Sequence, residues 1–212
     1  MNTENTATLV AIDIETGGVG ETQCTTHALL SIGCAAYTAQ GYLHTFHQLV
    51  LPEPRLKIHP EAVAVNGYDR DKWMKLGAAV ESWACIRLLD WLKSFAARHC
   101  IKLPLTCVAH NAGHDKGFIE AMFIRQGWRT EWNEIISRRW RCSCAALGFL
   151  QDAGTMPESG GASLDNLTAL RTGDTIENVR AARGIHTADH DALQCLDGYR
   201  WLMTMAAPST AH

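Results

Sequence analysis

A short apolar run near the N-terminus leads directly into a pair of acids. Leu9 to Ile12 has the composition of a central, buried strand, and Asp13 and Glu15 extend it two residues apart. Since alternate residues of a strand point to the same face, both carboxylates project together, while Ile12 and Ile14 face the other way. Neighbouring carboxylates repel each other unless a cation lies between them. The segment therefore predicts either an oxygen-ligand site for Mg²⁺ or Mn²⁺, or a plain strand end with solvated acids.

Beyond this strand, the chain alternates strand and helix patterns. The stretch from Thr22 to Pro52 has no charged residue, and its Gln40-Gly41 turn signal favours a two-stranded hairpin over a membrane-spanning helix. Helical spacing follows within Asp69–Ala97, and a second buried strand is predicted at Leu103–Ala109. Further helices are predicted after that strand, at Ile135–Leu150, at Leu164–Leu170 and from about Asp191, with a surface loop at Gln151–Ala162. This order predicts a mixed sheet with helices on its faces.

Length and composition favour one domain. At 212 residues and 47% hydrophobic composition, we expect a single domain over 1–212 with its core at about 8–199. The eight cysteines show no CxxC spacing, which favours reduced thiols and a cytoplasmic location. We expect no membrane association. The net charge of −3 is not typical of a strong nucleic-acid binder, but it allows an enzyme that holds phosphate through bound metal ions.

One local segment is basic and aromatic. It contains Arg125, Arg129, Arg138, Arg139 and Arg141 together with Trp128, Trp132 and Trp140. Arginine and aromatic side chains together suit phosphate contacts and base stacking. Alternatively, the tryptophans pack into the core or a subunit interface and the arginines form a solvated face.

Two further acids stand where a metal site would need them. Asp115 lies in the first turn after the strand that ends at His110-Asn111, three residues before Phe118, and so projects near the buried face of its helix. Asp191 begins the last helix, after a histidine-rich turn at 186–190. Each acid alone is also compatible with a helix cap or a structural ion pair.

Together these motifs resemble those of the DEDDh exonucleases, the group that contains polymerase proofreading subunits, ribonuclease T and the TREX-type nucleases. Asp13 and Glu15 match the first motif, Asp115 the second, and His186 with Asp191 the third. The resemblance covers nearly the whole chain. It implies an α/β, RNase H-like fold, in which helices flank a five-stranded mixed sheet of order 3-2-1-4-5.

The resemblance also implies a function, that of a 3′–5′ exonuclease acting on DNA or RNA with a free 3′ end. Such an enzyme uses two metal ions and releases nucleoside 5′-monophosphates. By resemblance, Asp13, Glu15, Asp115 and Asp191 hold two Mg²⁺ ions, which Mn²⁺ can replace, and His186 is the general base. The 3′-terminal nucleotide would contact Thr16, Gly17, Gly18, His59, Asn66, Gly67, His110 and Asn111. Several compact members pair their subunits, so a homodimer is expected.

The chain departs from the family pattern in two places. His114 precedes Asp115 where members commonly have a hydrophobic residue, and Cys142-Ser143 stands where many have Asp-Thr. Neither position is a metal ligand in the family, so these departures concern substrate fit. Thr187 excludes the related DEDDy group, which needs a tyrosine there.

Two alternative functions are weighed against the exonuclease. The first is a catalytically inactive nucleic-acid-binding protein of the same fold. The second is a phosphatase of the haloacid-dehalogenase type, whose strand-end motif needs Asp-x-Asp, whereas this chain has Asp-x-Glu.

Overall fold

A mixed sheet forms the centre of the protein in a computed structural model that describes residues 8–18, 23–183 and 187–205. Within these residues the sheet has six strands, in the order β4-β3-β2-β1-β5-β6. They are β1 (Leu9–Thr16), β2 (Leu29–Tyr37), β3 (Leu43–Leu51), β4 (Ala79–Val80), β5 (Thr106–Ala109) and β6 (Arg141–Cys142). β2 is antiparallel to both β1 and β3, and the other neighbouring pairs are parallel. The predicted mixed sheet is confirmed.

The predicted strand order is also confirmed, with one strand added at the edge. If the two-residue β4 is left out, the remaining strands stand in the order 3-2-1-4-5. β4 pairs only with Val50 and Leu51 at the end of β3. A pairing of two residues leaves no periodic signal in a sequence, which is why the pattern does not predict it.

Helices lie on both faces of this sheet. They are α1 (Pro60–Asn66), α2 (Arg70–Lys75), α3 (Glu81–Arg98), α4 (Ala112–Arg125), α5 (Arg129–Ile135), α6 (Ser143–Asp152), α7 (Leu164–Thr172), α8 (Ile176–Arg183) and α9 (Ala188–Met205). The short helices α1, α5 and α8 are additional to those predicted. The last helix begins three residues before the predicted start at Asp191.

The predicted helix at Ile135–Leu150 is wrong in its first half. α5 ends at Ile135, Ile136 is extended and forms a bridge with Leu105, and the chain then pairs as β6 with the end of β5. The open edge of β5 supplies hydrogen-bond partners for this backbone, and that gain overrides the local helical pattern. Helix α6 begins only at Ser143.

The two faces of the sheet pack against different helices. Val10, Ile12 and Ile14 of β1 belong to a core cluster with residues of α3, α4 and α5. Ala11 belongs to the opposite cluster, with residues of α6, α7 and α9. Because side chains alternate along a strand, Asp13 and Glu15 follow Ala11 onto the α9 face. The period-two pattern thus places both acids beneath the last helix.

The tryptophans of the basic segment pack inward. Trp132 is buried, and Trp128 and Trp140 pack partly buried against the same core cluster. Arg125 forms a two-point ion pair with the buried carboxylate of Glu81, at a shortest distance of 2.9 Å. The exposed cations of the segment are Arg129, Arg138, Arg139 and Arg141. The structure therefore favours the inward-packed interpretation of the tryptophans and leaves four arginines at the surface.

All eight cysteines are free thiols. Burial raises the pKa of Cys107 and of Cys195, so both thiols stay protonated at neutral pH. Among the residues that the structure describes, no helix is both long and apolar enough to cross a membrane.

Candidate active site

Three carboxylates come together at the end of β1. Asp13, Glu15 and Asp191 each offer one oxygen atom, and these atoms all lie within 4.8 Å of one another. Asp13 and Glu15 are half-buried, and Asp191 is 3% exposed. Charges at this separation repel each other unless a cation is bound. The donor set consists of carboxylate oxygens, and so the residues present fit a hard divalent ion such as Mg²⁺ or Mn²⁺.

A glycine in the sheet brings Asp191 to this position. Gly33 of β2 lies opposite Asp13, and a Cβ atom there would fall 2.0 Å from the carbonyl carbon of Ala188 and 2.1 Å from the backbone nitrogen of Asp189. The first turn of α9 therefore rests directly on the backbone of β2, which leaves no room for a side chain. A glycine inside a buried strand often marks such a close approach, and this signal was available in the sequence.

Gly33→Ala should move the start of α9 away from the sheet and separate Asp191 from Asp13. The new methyl group would meet backbone atoms, which cannot swing aside. We expect turnover to fall about 10²-fold, the cost of a misplacement of about 1 Å, and the free energy of unfolding to fall by about 1–3 kcal/mol. Thermal melts and oligonucleotide digestion measure the two effects.

Gly148→Ala is the matched control for this change. Gly148 lies in α6, and nothing stands within 4 Å of a Cβ atom there. Alanine has the higher helix propensity, so this variant should be as stable as the wild type or more so, with unchanged turnover. Wild-type turnover in Gly33→Ala would show that the contact does not position Asp191.

Asp115 lies beside the three-carboxylate group without belonging to it, as judged over the residues described. Its carboxylate interacts with backbone N–H groups of Asp115 itself and of Ile14. β5 ends at Ala109, and its pairing with β1 does not extend to Ile14. The Asp115 carboxylate therefore accepts the hydrogen bond from the Ile14 N–H group that a carbonyl of a longer β5 would accept. Burial raises the pKa of Asp115 well above its usual range; the two backbone hydrogen bonds oppose this shift, and the charge of Glu15 adds to it.

The raised pKa of Asp115 predicts how the stability of the metal-free protein depends on pH. The folded protein binds this proton more tightly than the unfolded chain does. Its free energy of unfolding therefore falls as pH rises from the ordinary aspartate pKa of about 3.9 to the raised value. Asp115→Asn mimics the protonated carboxyl group and should abolish this decrease. At neutral pH the melting temperature should rise by about 2–4 °C for each kcal/mol regained.

Thermal melts in EDTA across the acidic and neutral pH range measure this effect. The exposed Asp90 of α3 supplies the control, because Asp90→Asn should leave the pH dependence unchanged. If the melting temperature of Asp115→Asn followed that of the wild type at every pH, the Asp115 carboxyl group would not be the source of the dependence.

Six residues expected to contact a nucleotide form a connected network at the end of β1: Thr16, Gly17, Gly18, His59, Asn66 and Gly67. The Asn66 side-chain amide donates to the Thr16 carbonyl at 3.2 Å, and the His59 N–H donates to the Gly17 carbonyl at 2.8 Å. The Thr16 hydroxyl donates to the Gly18 carbonyl. His59 caps the start of α1, and Gly67 ends that helix with a φ of 66°. These hydrogen bonds hold residues 16–18 and 59–67 together beside the carboxylates. Contact of the six residues with a nucleotide stays a prediction.

The other two expected contact residues, His110 and Asn111, connect β5 to α4. His110 Nδ1 lies 2.9 Å from the Ser143 hydroxyl, which also lies 3.4 Å from the Cys195 sulfur. Ser143 and Cys195 are both buried, and no sequence pattern indicates Cys195 as a neighbour of the site. Asn111 is exposed, with a φ of 69°. Ser143, one of the departures from the family pattern, thus holds His110 in place.

His186, the predicted general base, lies outside the described residues, and the structure does not place it. Two other histidines near the acids are described. His190 Nδ1 lies 3.6 Å from Asp191 Oδ1, and its side chain is 45% exposed. The His114 ring packs against Phe118 with 4.8 Å between centroids, so it fills a position that suits a hydrophobic residue.

Solved nuclease structures share this fold, although no protein-family model and no curated protein matches the sequence. The nuclease domain of 3′hExo, a DEDDh family member bound to rAMP, matches with a TM-score of 0.62 at 14% identity. The match covers 94% of this chain and 92% of that one. The chain shares its fold with a DEDDh nuclease domain. The fold that the sequence motifs predicted is therefore confirmed.

Two further solved nuclease structures share this fold. Escherichia coli exonuclease I in complex with a dT13 oligonucleotide matches with a TM-score of 0.63 at 13% identity, over 96% of this chain and 41% of that one. Cell-death related nuclease 4 (CRN-4) matches with a TM-score of 0.68 at 12% identity, over 95% of this chain and 65% of that one. The chain thus spans about two fifths of the length of exonuclease I.

Proposed function

We propose that the chain is a 3′–5′ exonuclease that hydrolyses phosphodiester bonds of DNA or RNA from a free 3′ end and releases nucleoside 5′-monophosphates. The observation that carries this proposal is the group formed by Asp13, Glu15 and Asp191, with Asp115 beside it, on the fold of a DEDDh nuclease domain. The oligonucleotide complex of E. coli exonuclease I, which has the same fold, supports nucleic acid as the substrate class.

These four acids would hold divalent cations, which we propose to be two Mg²⁺ ions that Mn²⁺ can replace. When bound, such ions polarise the scissile phosphate and lower the pKa of the attacking water. The chain has a net charge of −3 and three carboxylates meet at this site, so bound cations would offset the repulsion of a phosphate.

The chain's own residues orient the substrate and move the proton. The network of Thr16, Gly17, His59 and Asn66 would hold the terminal nucleotide at a fixed angle to the carboxylates, because backbone hydrogen bonds limit its motion. His186 would accept a proton from the attacking water at a ring nitrogen. A homodimer stays a prediction from the family resemblance.

Digestion of 5′-labelled DNA and RNA oligonucleotides tests the proposed function. With Mg²⁺ or Mn²⁺ each strand should shorten stepwise from its 3′ end, and with EDTA it should stay intact. Undiminished turnover in EDTA would contradict the dependence on metal. Binding without any shortening would support the inactive nucleic-acid-binding protein instead.

A further inference from the structure

We propose that a basic cavity beside α4 binds a backbone phosphate of the nucleic acid, away from the carboxylate site. This inference rests on the proposed function. The cavity has a volume of about 270 Å³, and its lining residues are Lys116, Glu120, Arg129, Trp132, Asn133 and Arg138. It belongs to the basic segment whose tryptophans pack inward, and two of the four exposed arginines of that segment, Arg129 and Arg138, line it.

The lining of this cavity is positively charged in a chain whose net charge is negative. Three cations and one carboxylate contribute to it. Lys116 pairs with that carboxylate, Glu120, at 3.8 Å. Arg129 and Arg138 are exposed, and within the described ranges neither takes part in an ion pair. Two guanidinium groups therefore remain for an anion, and their planar geometry matches two oxygen atoms of a phosphate.

The cavity walls are held by contacts that leave both guanidinium groups available. The Lys116 ammonium donates to the Arg138 carbonyl at 3.0 Å and so ties α4 to the segment before β6. Trp132 is 1% exposed and stacks on Phe123, with 4.5 Å between ring centroids. Because these parts of the wall are fixed before a ligand arrives, the ordering cost of binding falls mainly on the two exposed arginine side chains.

The size and position of the cavity suit a phosphate of a strand held at the carboxylates. Its volume lies below the roughly 300–1,000 Å³ of typical small-molecule sites. Lys116 lines the cavity and directly follows Asp115 in α4, so the cavity begins next to a proposed metal ligand. Stacked nucleotides rise about 3.4 Å each, so a 12-nucleotide strand is roughly 40 Å long. One strand can therefore reach both the carboxylates and the cavity.

The test compares two double variants that remove the same charge. R129Q/R138Q empties the cavity of its free guanidinium groups, and R70Q/R98Q removes two exposed arginines from α2 and α3. Fluorescence anisotropy with Ca²⁺ in place of Mg²⁺ gives the Kd of each for a 12-nucleotide single-stranded DNA and for a dinucleotide, over a range of salt concentrations. Melting temperatures of both variants verify that they fold.

R129Q/R138Q should bind the 12-nucleotide strand about tenfold more weakly than the wild type. Its slope of log K against log salt should be shallower by about 0.7, the value for one phosphate contact on a single strand. The dinucleotide is too short to span both sites and should lose less than about twofold. R70Q/R98Q should bind both probes as the wild type does.

Equal Kd values of the two double variants for the long strand would overturn the inference. An equal loss for both probes would also overturn it, because the cavity would then accept a free phosphate or a single nucleotide. Neither readout depends on turnover. If the wild type did not hydrolyse an oligonucleotide, the proposed function would be wrong. If the wild type were active and the two double variants had equal Kd values, only the inference about the cavity would be wrong.

Discussion

Asp13→Asn should lower the turnover of an oligonucleotide by at least about 10⁴-fold. Asp13 belongs to the group whose oxygen atoms lie within 4.8 Å of one another, and an amide preserves its shape while removing its charge. Each tenfold loss in rate corresponds to about 1.36 kcal/mol, so this factor corresponds to a loss of about 5–6 kcal/mol of transition-state stabilisation. The metal-free variant should melt no lower than the wild type, because one source of carboxylate repulsion is gone.

Asp189→Asn is the matched control for this variant. Asp189 lies in the first turn of α9, two residues before Asp191, but its 38% exposed side chain faces His47 at 3.9 Å and is not part of the group. Its turnover should stay within about threefold of the wild type. Single-turnover digestion with Mg²⁺ measures both variants. If Asp13→Asn retained a tenth or more of wild-type turnover, Asp13 would not hold an essential ion.

His186→Ala should lower the turnover number by roughly 10²–10⁴-fold, the usual contribution of a general base. A histidine near its ordinary pKa of about 6.5 can accept a proton from the attacking water at neutral pH. Without it, the acidic limb of the pH–rate profile should flatten. The increase in melting temperature on adding Mg²⁺ should be unchanged, because the carboxylates remain.

His190→Ala decides between the two histidines near Asp191. His190 is the alternative candidate for the general base, because its Nδ1 lies 3.6 Å from Asp191 Oδ1. Its other ring nitrogen, Nε2, lies 3.3 Å from the Gln194 side-chain nitrogen, so the ring contacts its own helix. We expect less than a tenfold loss for this variant. If His190→Ala lost more turnover than His186→Ala did, His190 and not His186 would be the general base.

The placement of the first acids could be predicted from the sequence because it depends on local geometry alone. Side chains alternate along any strand, so the spacing of Asp13 and Glu15 fixed their common face before the sheet was known. The position of Asp115 near a buried helix face likewise follows from its distance to Phe118. Strand order is not a local property, and its prediction came instead from the family resemblance; the observed order confirms that prediction.

The features that the sequence did not reveal all depend on distant contacts. The segment around Ile136 pairs with β5 because that edge is open, which a local helical pattern cannot indicate. A glycine within a strand signals a close approach, but only the packing of α9 on β2 shows which backbone approaches Gly33. Ser143 is important because it contacts both His110 and Cys195. The basic cavity likewise arises only when α4, α5 and the segment before β6 come together.

The most direct test of the exonuclease proposal is mass spectrometry of the products from two matched strands in Mg²⁺. Both strands carry a 5′ label, and one ends in a 3′-hydroxyl group while the other ends in a 3′-phosphate. We predict stepwise loss of nucleoside 5′-monophosphates from the first strand, little digestion of the second, and no product from either in EDTA. Equal digestion of both strands, or cleavage of a circular single strand, would contradict hydrolysis from the 3′ end.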